Sequence, residues 1–130
     1  MADSRNSADD RSQAHKKELF QKRTLIFAAQ VIHTLAKHKT AIPFSIANQL
    51  TRSATSIGAN YAEACNASSK LDFRNKIYIA KKEAAETRYW IDLCIELSNA
   101  VAWQKEKQEI RELLLILQAI VNTLRRKSPD

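Results

Sequence analysis

The sequence predicts an all-α protein, a single antiparallel four-helix bundle with up-down-up-down topology. Its 130 residues are the usual length of one domain. The chain contains only one glycine and two prolines, whereas strands joined by tight turns need many more turn residues. Hydrophobic residues make up 45% of the chain and recur at helical spacing in four segments. Long helices joined by short links therefore explain the composition better than a β or α/β fold.

The first helix is predicted over residues 17–39, after a polar segment, residues 1–16, that is expected to be a disordered tail. Its apolar stripe consists of Phe20, Thr24, Phe27, Val31 and Leu35. The helix should end before Pro43, because the residue preceding a proline is pushed out of the α region. The second helix is then predicted from Pro43 to Asn66, with the proline in its first turn.

The third helix follows a short polar link, in which Ser68 or Ser69 is the expected N-cap. Its stripe is the most regular in the chain and comprises Phe73, Ile77, Ala80, Ala84, Thr87, Ile91, Cys94 and Ser98. A break near Asn99 precedes the fourth helix, whose apolar positions are Trp103, Ile110, Leu113, Leu114, Leu117, Ile120, Val121 and Leu124. The bundle domain is expected over residues 17–126, with residues 127–130 as a C-terminal tail.

One face of the second helix has only small or uncharged residues: Ala47, Asn48, Thr51, Thr55, Gly58, Ala59 and Ala62. In a chain with 27% charged residues, an exposed helix face normally carries Lys and Glu, so this face is predicted to pack against another subunit. Gly58 lets two backbones approach closely. The alternative is that Gly58 lies at a tight helix crossing inside the monomer.

A polar stripe borders that face and consists of Gln49, Arg52, Ser56, Asn60 and Glu63. On the third helix, Glu83 and Glu86 lie beside large apolar residues. Carboxylates at this spacing could serve acid/base or metal chemistry, but neither has a His three residues later, as ferritin-like metal sites require. We expect instead that Glu83 or Glu86 pairs with Arg52 between the two helices. Together with Gly58, these residues are assigned to an oligomer interface or polar network.

A basic ridge is predicted on the third helix, where cations are spaced four, seven and seven residues apart at Lys70, Arg74, Lys81 and Arg88. Tyr78, Lys82 and Tyr89 lie beside it, so cations and aromatic rings alternate as phosphate contact and base stacking require. The ridge is therefore a candidate nucleic-acid site. The alternative is an ordinary solvated face, and the net charge of +7 fits either anionic partners or plain solubility.

Catalytic, metal and membrane signatures are absent from the sequence. It contains no phosphate-binding glycine loop and no hydrolase or zinc-protease motif. His33 and His38 are about 140° apart on a helix, and Cys65 and Cys94 lack metal-ligand spacing. There is neither a signal peptide nor an apolar run near the roughly 18 residues of a membrane span. We expect a reduced, cytoplasmic protein that is not an enzyme and uses no cofactor or metal.

Two segments carry a family resemblance: QLTRSATSIGANYAEA, at Gln49 to Ala64, and AKKEAAETRYW, at Ala80 to Trp90. They resemble the bacterial four helix bundle proteins, also called 23S rRNA-intervening-sequence or S23 proteins. The family pattern is Q-L-x-R-[AS]-x-x-S-I-x-x-N-x-A-E-[GA], followed by a Phe-containing turn and a helix rich in E-x-x-E. The matching positions are Gln49, Leu50, Arg52, Ser53, Ser56, Ile57, Asn60, Ala62, Glu63, Phe73, Glu83 and Glu86.

The resemblance implies a protomer that assembles into a ring, typically a barrel-shaped homopentamer. It also implies kinship with the accessory variability determinant of diversity-generating retroelements, a basic pentamer that binds reverse transcriptase and nucleic acid. The expected function is a non-enzymatic homo-oligomer that presents a basic surface to RNA, DNA or a nucleic-acid enzyme such as a reverse transcriptase. The alternative is a purely structural or protein-interaction oligomer without nucleic-acid affinity.

Overall fold

The computed structural model describes residues 4–127, which form four helices. The helices are α1 (Ser4–Lys37), α2 (Phe44–Cys65), α3 (Lys70–Leu97) and α4 (Gln104–Lys127), and a 3₁₀ turn at Val101–Trp103 precedes α4. None of these residues belongs to a β-strand. The all-α class and the four helices predicted from the sequence are confirmed.

Neighbouring helices run antiparallel. Between α1 and α2, Phe20 packs edge-on against Tyr61 with 4.5 Å between ring centroids. Thr24, one turn after Phe20 on α1, meets Gly58, which is one turn before Tyr61 on α2. Both α1 and α3 pack against α2 and α4, so α1 and α3 lie diagonally across the bundle. This arrangement leaves one outward face on each helix.

The links between helices are short, and a proline or a polar side chain marks where the segment after each link starts. Pro43 directly precedes α2 with φ −58° and an extended ψ of 146°, so it lies just before the helix rather than in its first turn. Ser69 is the N-cap of α3, and its hydroxyl accepts the Asp72 N–H at 3.0 Å. The Asn99 side chain accepts the Ala102 N–H at 2.9 Å and starts the 3₁₀ turn.

The core is formed by the predicted apolar stripes. On α1, for example, Phe20, Thr24, Phe27, Val31 and Leu35 are all buried. Trp103 is the largest fully buried side chain, and its Nε1–H donates to Ser98 Oγ at 3.1 Å. Burying an indole with its N–H satisfied gives the apolar contribution of the ring without the cost of an unpaired donor.

The N-terminal segment differs from the expected disordered tail, because α1 begins at Ser4. Residues 7–19 are all exposed, and Phe20 is the first buried side chain. The segment contains neither glycine nor proline, and extending an existing helix costs little once it has nucleated further along the chain. At the other end, α4 includes Lys127, one residue into the expected C-terminal tail. Residues 1–3 and 128–130 lie outside the described part.

Gly58 lies at a helix crossing inside the protomer, which corrects its assignment to a subunit interface. A β-carbon at this position would be 2.7 Å from Thr24 Oγ1 and 3.1 Å from Thr24 Cβ. Thr24 is only 1% exposed, and its hydroxyl donates to the Gln21 carbonyl at 2.7 Å. Because α1 occupies the space of a side chain, the glycine is explained by the contact between α1 and α2.

Candidate nucleic-acid interface

The predicted basic ridge of α3 faces α4, and the two helices form an open groove between them. The groove has a volume of about 620 Å³. From α3 it is lined by Lys81, Ala85 and Arg88, and from α4 by Arg111, Leu114, Leu115 and Gln118. We call this surface the α3–α4 groove. Its lining combines aliphatic and cationic side chains. Arg111 is a functional candidate that the sequence analysis missed.

The register of the two helices explains why their cations meet. The ion pair between Lys107 Nζ and Asp92 Oδ1, at 3.1 Å, ties the start of α4 to the last turns of α3. Since the helices are antiparallel, each step back along α3 corresponds to an equal step forward along α4. Arg88 is therefore level with Arg111, and the same counting places Arg74 level with Arg125.

Both helices repeat their groove-facing positions every seven residues, which is close to two helical turns. Lys81 and Arg88 line the groove on α3, and Arg111 and Gln118 line it on α4. One more step of seven residues leads to Arg74 on α3 and to Arg125 on α4. Lys70, exposed at the start of α3, extends the ridge toward the same end as Arg74. The Nε of Arg74 is buried without a hydrogen-bond partner among the described residues. Three cations and one amide thus line the groove, and Arg74 and Arg125 continue its two sides.

The positive charge of the groove is not compensated locally. Across residues 4–127, Lys81, Arg88 and Arg111 form no ion pair. The carboxylate on the same side of α3 one turn beyond Arg88, that of Asp92, is paired with Lys107. An anion that enters the groove would therefore meet cations whose charges no carboxylate neutralises.

Two cations outside the groove, Arg23 and Lys76, are paired with carboxylates. Arg23 of α1 donates to Glu109 of α4 through Nε at 2.8 Å and also bonds Glu112. The hydrogen bond to Glu109 raises the pKa of Arg23 despite partial desolvation. Lys76 Nζ lies 2.9 Å from Glu63 Oε2, and this hydrogen bond raises the pKa of Lys76. Arg23 and Lys76 are thus neutralised locally, whereas Lys81, Arg88 and Arg111 are not.

The aromatic residues predicted beside the ridge do not line the groove. Tyr89 is 62% exposed but is about 100° around α3 from Arg88, and its ring packs edge-on against Trp90 at 5.1 Å. Tyr78 is half-buried against the core. Lys82 is exposed on the outward face with Tyr89, seven residues further on. Lys82 and Tyr89 therefore lie on a different side of α3 from Lys81 and Arg88. Tyr78, one turn from Arg74 and Lys81, lies beside the ridge but does not line the groove.

The polar stripe of α2 runs along the edge of α3, but Arg52 forms no ion pair with Glu83 or Glu86 in the described protomer, contrary to the prediction. At this level the two helices meet through buried Ser53 and Thr87, whose hydroxyl oxygens are 2.9 Å apart. Arg52 directly precedes Ser53, lies about 100° around α2 from it and is exposed. Since the small hydroxyl groups of Ser53 and Thr87 form the contact between α2 and α3, longer charged side chains such as that of Arg52 lie outside this contact.

The bonds that other members of this polar network form are within one helix or to a neighbouring lysine. Glu86 accepts the Trp90 Nε1–H at 3.2 Å. Asn60 donates to the Ser56 carbonyl at 2.9 Å, while Gln49 and Glu83 are half-buried. Glu63, at the end of the stripe, is the partner of Lys76 described above. The stripe is thus a helix-edge network in the protomer, and a role between subunits remains a prediction.

Residues 16–123 match the family described as 23S rRNA-intervening sequence protein. The chain belongs to this family. A crystal structure from Bacteroides thetaiotaomicron VPI-5482, at 1.70 Å resolution, is 34% identical in sequence with a TM-score of 0.70. The match covers 78% of this chain and 96% of that protein, which is described as a protein of unknown function from the S23 ribosomal protein family. No curated protein matches the chain.

In this member of the family, two apolar surfaces stay exposed. On α1, Leu25 (70% exposed) and Ile32 (44% exposed) form a stripe with exposed Ala29 and Ala36, on the side away from the core stripe. On α3, the outward face carries exposed large apolar residues, namely Leu71, Ile79, Tyr89 and Leu97. Because α1 and α3 are diagonal, these surfaces face different directions.

The described ionisable groups outside the groove form no metal site. Within the described range, no three His, Cys, Asp or Glu side chains are grouped to hold a metal ion. Cys65 and Cys94 are free thiols, and burial raises the pKa of Cys94 to about 11. Glu106, which the sequence analysis did not single out, is 4% exposed and accepts the Thr34 hydroxyl at 2.6 Å. None of the described helices combines the length and hydrophobicity needed to cross a membrane.

Proposed function

We propose that this protein is a non-enzymatic helical bundle that binds nucleic acid through the α3–α4 groove. The observation that carries the proposal is the meeting of Lys81, Arg88 and Arg111 on one groove without a carboxylate partner. Arginine and lysine at such a surface bind phosphates, and the net charge of +7 adds long-range attraction for a polyanion. The family description connects these proteins with intervening sequences of 23S rRNA, so structured RNA of that origin is the first ligand to test.

This proposal predicts strongly salt-dependent binding. A labelled structured RNA should bind at about 50 mM salt, and its affinity should fall by two to three orders of magnitude by about 200 mM, as expected for roughly five phosphate contacts. Fluorescence anisotropy measures both quantities. If the RNA does not bind even at about 50 mM salt, the nucleic-acid role is wrong.

A protein-binding role is the second candidate, and the aliphatic residues that line the groove favour it. Leu115 is 70% exposed in a lining that also carries cations, and such a surface suits the apolar face of an acidic helix. A reverse transcriptase is the partner that the family resemblance suggests for this surface. This second role predicts a protein complex that forms equally well after nuclease treatment and a groove without nucleic-acid affinity.

We further propose that the protein self-associates, and that a homopentameric ring is the assembly to test. The support is the pair of exposed apolar surfaces on α1 and α3. Two different surfaces that face different directions suit head-to-tail association, which closes into a ring when the rotation between subunits permits. The α3–α4 groove would then repeat around the ring, so weak binding at each copy would add through multivalency.

Replacing both large residues of the α1 stripe tests this assembly. Leu25→Glu/Ile32→Glu should convert the oligomer to monomer while keeping the helical circular dichroism, because both side chains are exposed in the protomer. Light scattering should give about five times the 14.8 kDa chain mass for the wild type and the chain mass for the variant. Gln30→Glu/His33→Glu, which adds two carboxylates on an adjacent exposed side of α1, is the control and should remain oligomeric. A monomeric wild type would contradict self-association.

A further inference from the structure

We infer that the α3–α4 groove takes double-helical nucleic acid by its phosphate backbone, in preference to a single strand held by its bases. This inference rests on the proposed function and specifies its ligand. It is carried by two properties of the groove, the rigid spacing of its cations and the absence of aromatic rings from its lining.

The cations form two rows on a straight scaffold. On α3, Arg74, Lys81 and Arg88 are seven residues apart, which is about 10.5 Å per step at 1.5 Å per residue. On α4, Arg111 and Arg125 are about 21 Å apart by the same measure. Since both rows belong to long helices packed on one core, the charges cannot follow a flexible strand. They match a ligand whose phosphates are already fixed in space.

The lining of the groove gives no stacking surface. Besides its cations and Gln118, the groove is lined by Ala85, Leu114 and Leu115. The nearest exposed ring, that of Tyr89, is on another side of α3 and packs against Trp90. Proteins that hold single strands use exposed aromatic rings for successive bases as well as cations for the backbone. This groove lacks that contribution, so a single strand would be held by charge alone.

By charge alone a duplex is the better ligand. Each phosphate contact releases about 0.9 counterion from a duplex, compared with about 0.7 from a single strand. The groove is also concave, so it fits over the convex ridge of a phosphate backbone. Base edges lie at the bottom of the duplex grooves, where a protruding helix or ribbon reads them. The expected binding is therefore insensitive to base sequence.

The test compares ligands of equal length. A labelled RNA duplex of about 20 base pairs, the DNA duplex of the same sequence, a shuffled RNA duplex and each single strand are titrated with the full chain at about 0.1 M salt. We expect both duplexes to bind at least about fivefold more tightly than either single strand, and the shuffled duplex to bind within about twofold of the original. Single strands that bind as tightly as duplexes would overturn the inference and leave the proposed function intact. Failure of every ligand to bind would overturn both.

Two adjacent lysines provide a matched pair of variants. Lys81 lines the groove, whereas Lys82 is exposed on the outward face. Lys81→Gln should weaken duplex binding roughly fivefold to tenfold at about 0.1 M salt, and Lys82→Gln should change it less than about twofold. Tyr89→Ala should leave both duplex and single-strand binding unchanged. If Tyr89→Ala weakens single-strand binding about tenfold, bases stack on the outward face and the inference is wrong.

Discussion

The Lys81→Gln/Arg88→Gln/Arg111→Gln variant is expected to bind an RNA duplex about 100-fold more weakly than the wild type at about 0.1 M salt. The three side chains flank the same groove and are not engaged by carboxylates within residues 4–127. Removing three phosphate contacts removes the release of nearly three counterions, which accounts for the size of the effect. The substitutions are at half-buried or exposed positions, so unfolding temperature should change little.

The control for this variant removes the same charge from another part of the bundle. Lys22→Gln/Lys37→Gln/Lys39→Gln lowers the net charge equally at exposed positions of α1 and the loop that follows it. Its affinity should remain within about fivefold of the wild type, because it loses only long-range attraction. Equal losses in the two triple variants would mean that net charge, and not the groove, determines binding.

Gly58→Leu is expected to destabilise the protomer by about 3 kcal/mol or more. Even a β-carbon at this position would lie 2.7 Å from Thr24 Oγ1, and Thr24 is buried on α1. A leucine must therefore push α1 away from α2 along much of their contact. Urea unfolding at two protein concentrations separates this loss from any change in assembly.

A double-mutant cycle identifies the contact responsible. Gly58→Ala gains about 1 kcal/mol of helix propensity but introduces the clash with Thr24. Thr24→Ala removes the oxygen that would meet the new β-carbon, so the double variant should recover about 1 kcal/mol relative to the sum of the single changes. If Gly58→Leu keeps wild-type stability but dissociates the oligomer, Gly58 lies at a subunit interface and its placement against Thr24 is wrong.

The helices could be predicted because their apolar spacing is strong and local. The steps from Phe20 to Leu35 on α1 and from Ile77 to Cys94 on α3 are those of buried helix faces, and the structure buries them. Ser69 was one of two serines that the sequence offered as a cap, and its position three residues before the Asp72 N–H is a local property too. The start of α1 was missed because exposed helix extension leaves no apolar pattern to detect.

Only the α3 side of the candidate site could be predicted from the sequence, because the α3–α4 groove is formed by two helices. The α3 ridge is visible within one helix, whereas its meeting with Arg111 depends on the α3–α4 register, which one helix cannot specify. One sequence signal could have indicated this meeting, namely the seven-residue spacing that the α3 cations share with Arg111, Gln118 and Arg125. For Gly58, the uncharged surroundings indicated close packing correctly but could not say which helix approaches.

The most direct test of the account is the salt dependence of duplex binding by the wild type and by the Lys81→Gln/Arg88→Gln/Arg111→Gln variant. The logarithm of affinity is plotted against the logarithm of salt concentration for both proteins. If the α3–α4 groove holds the phosphates, the slope of the variant is shallower by about 2 to 3, close to 0.9 for each contact removed. Parallel lines for the two proteins would show that these three side chains touch no phosphate and would contradict the account.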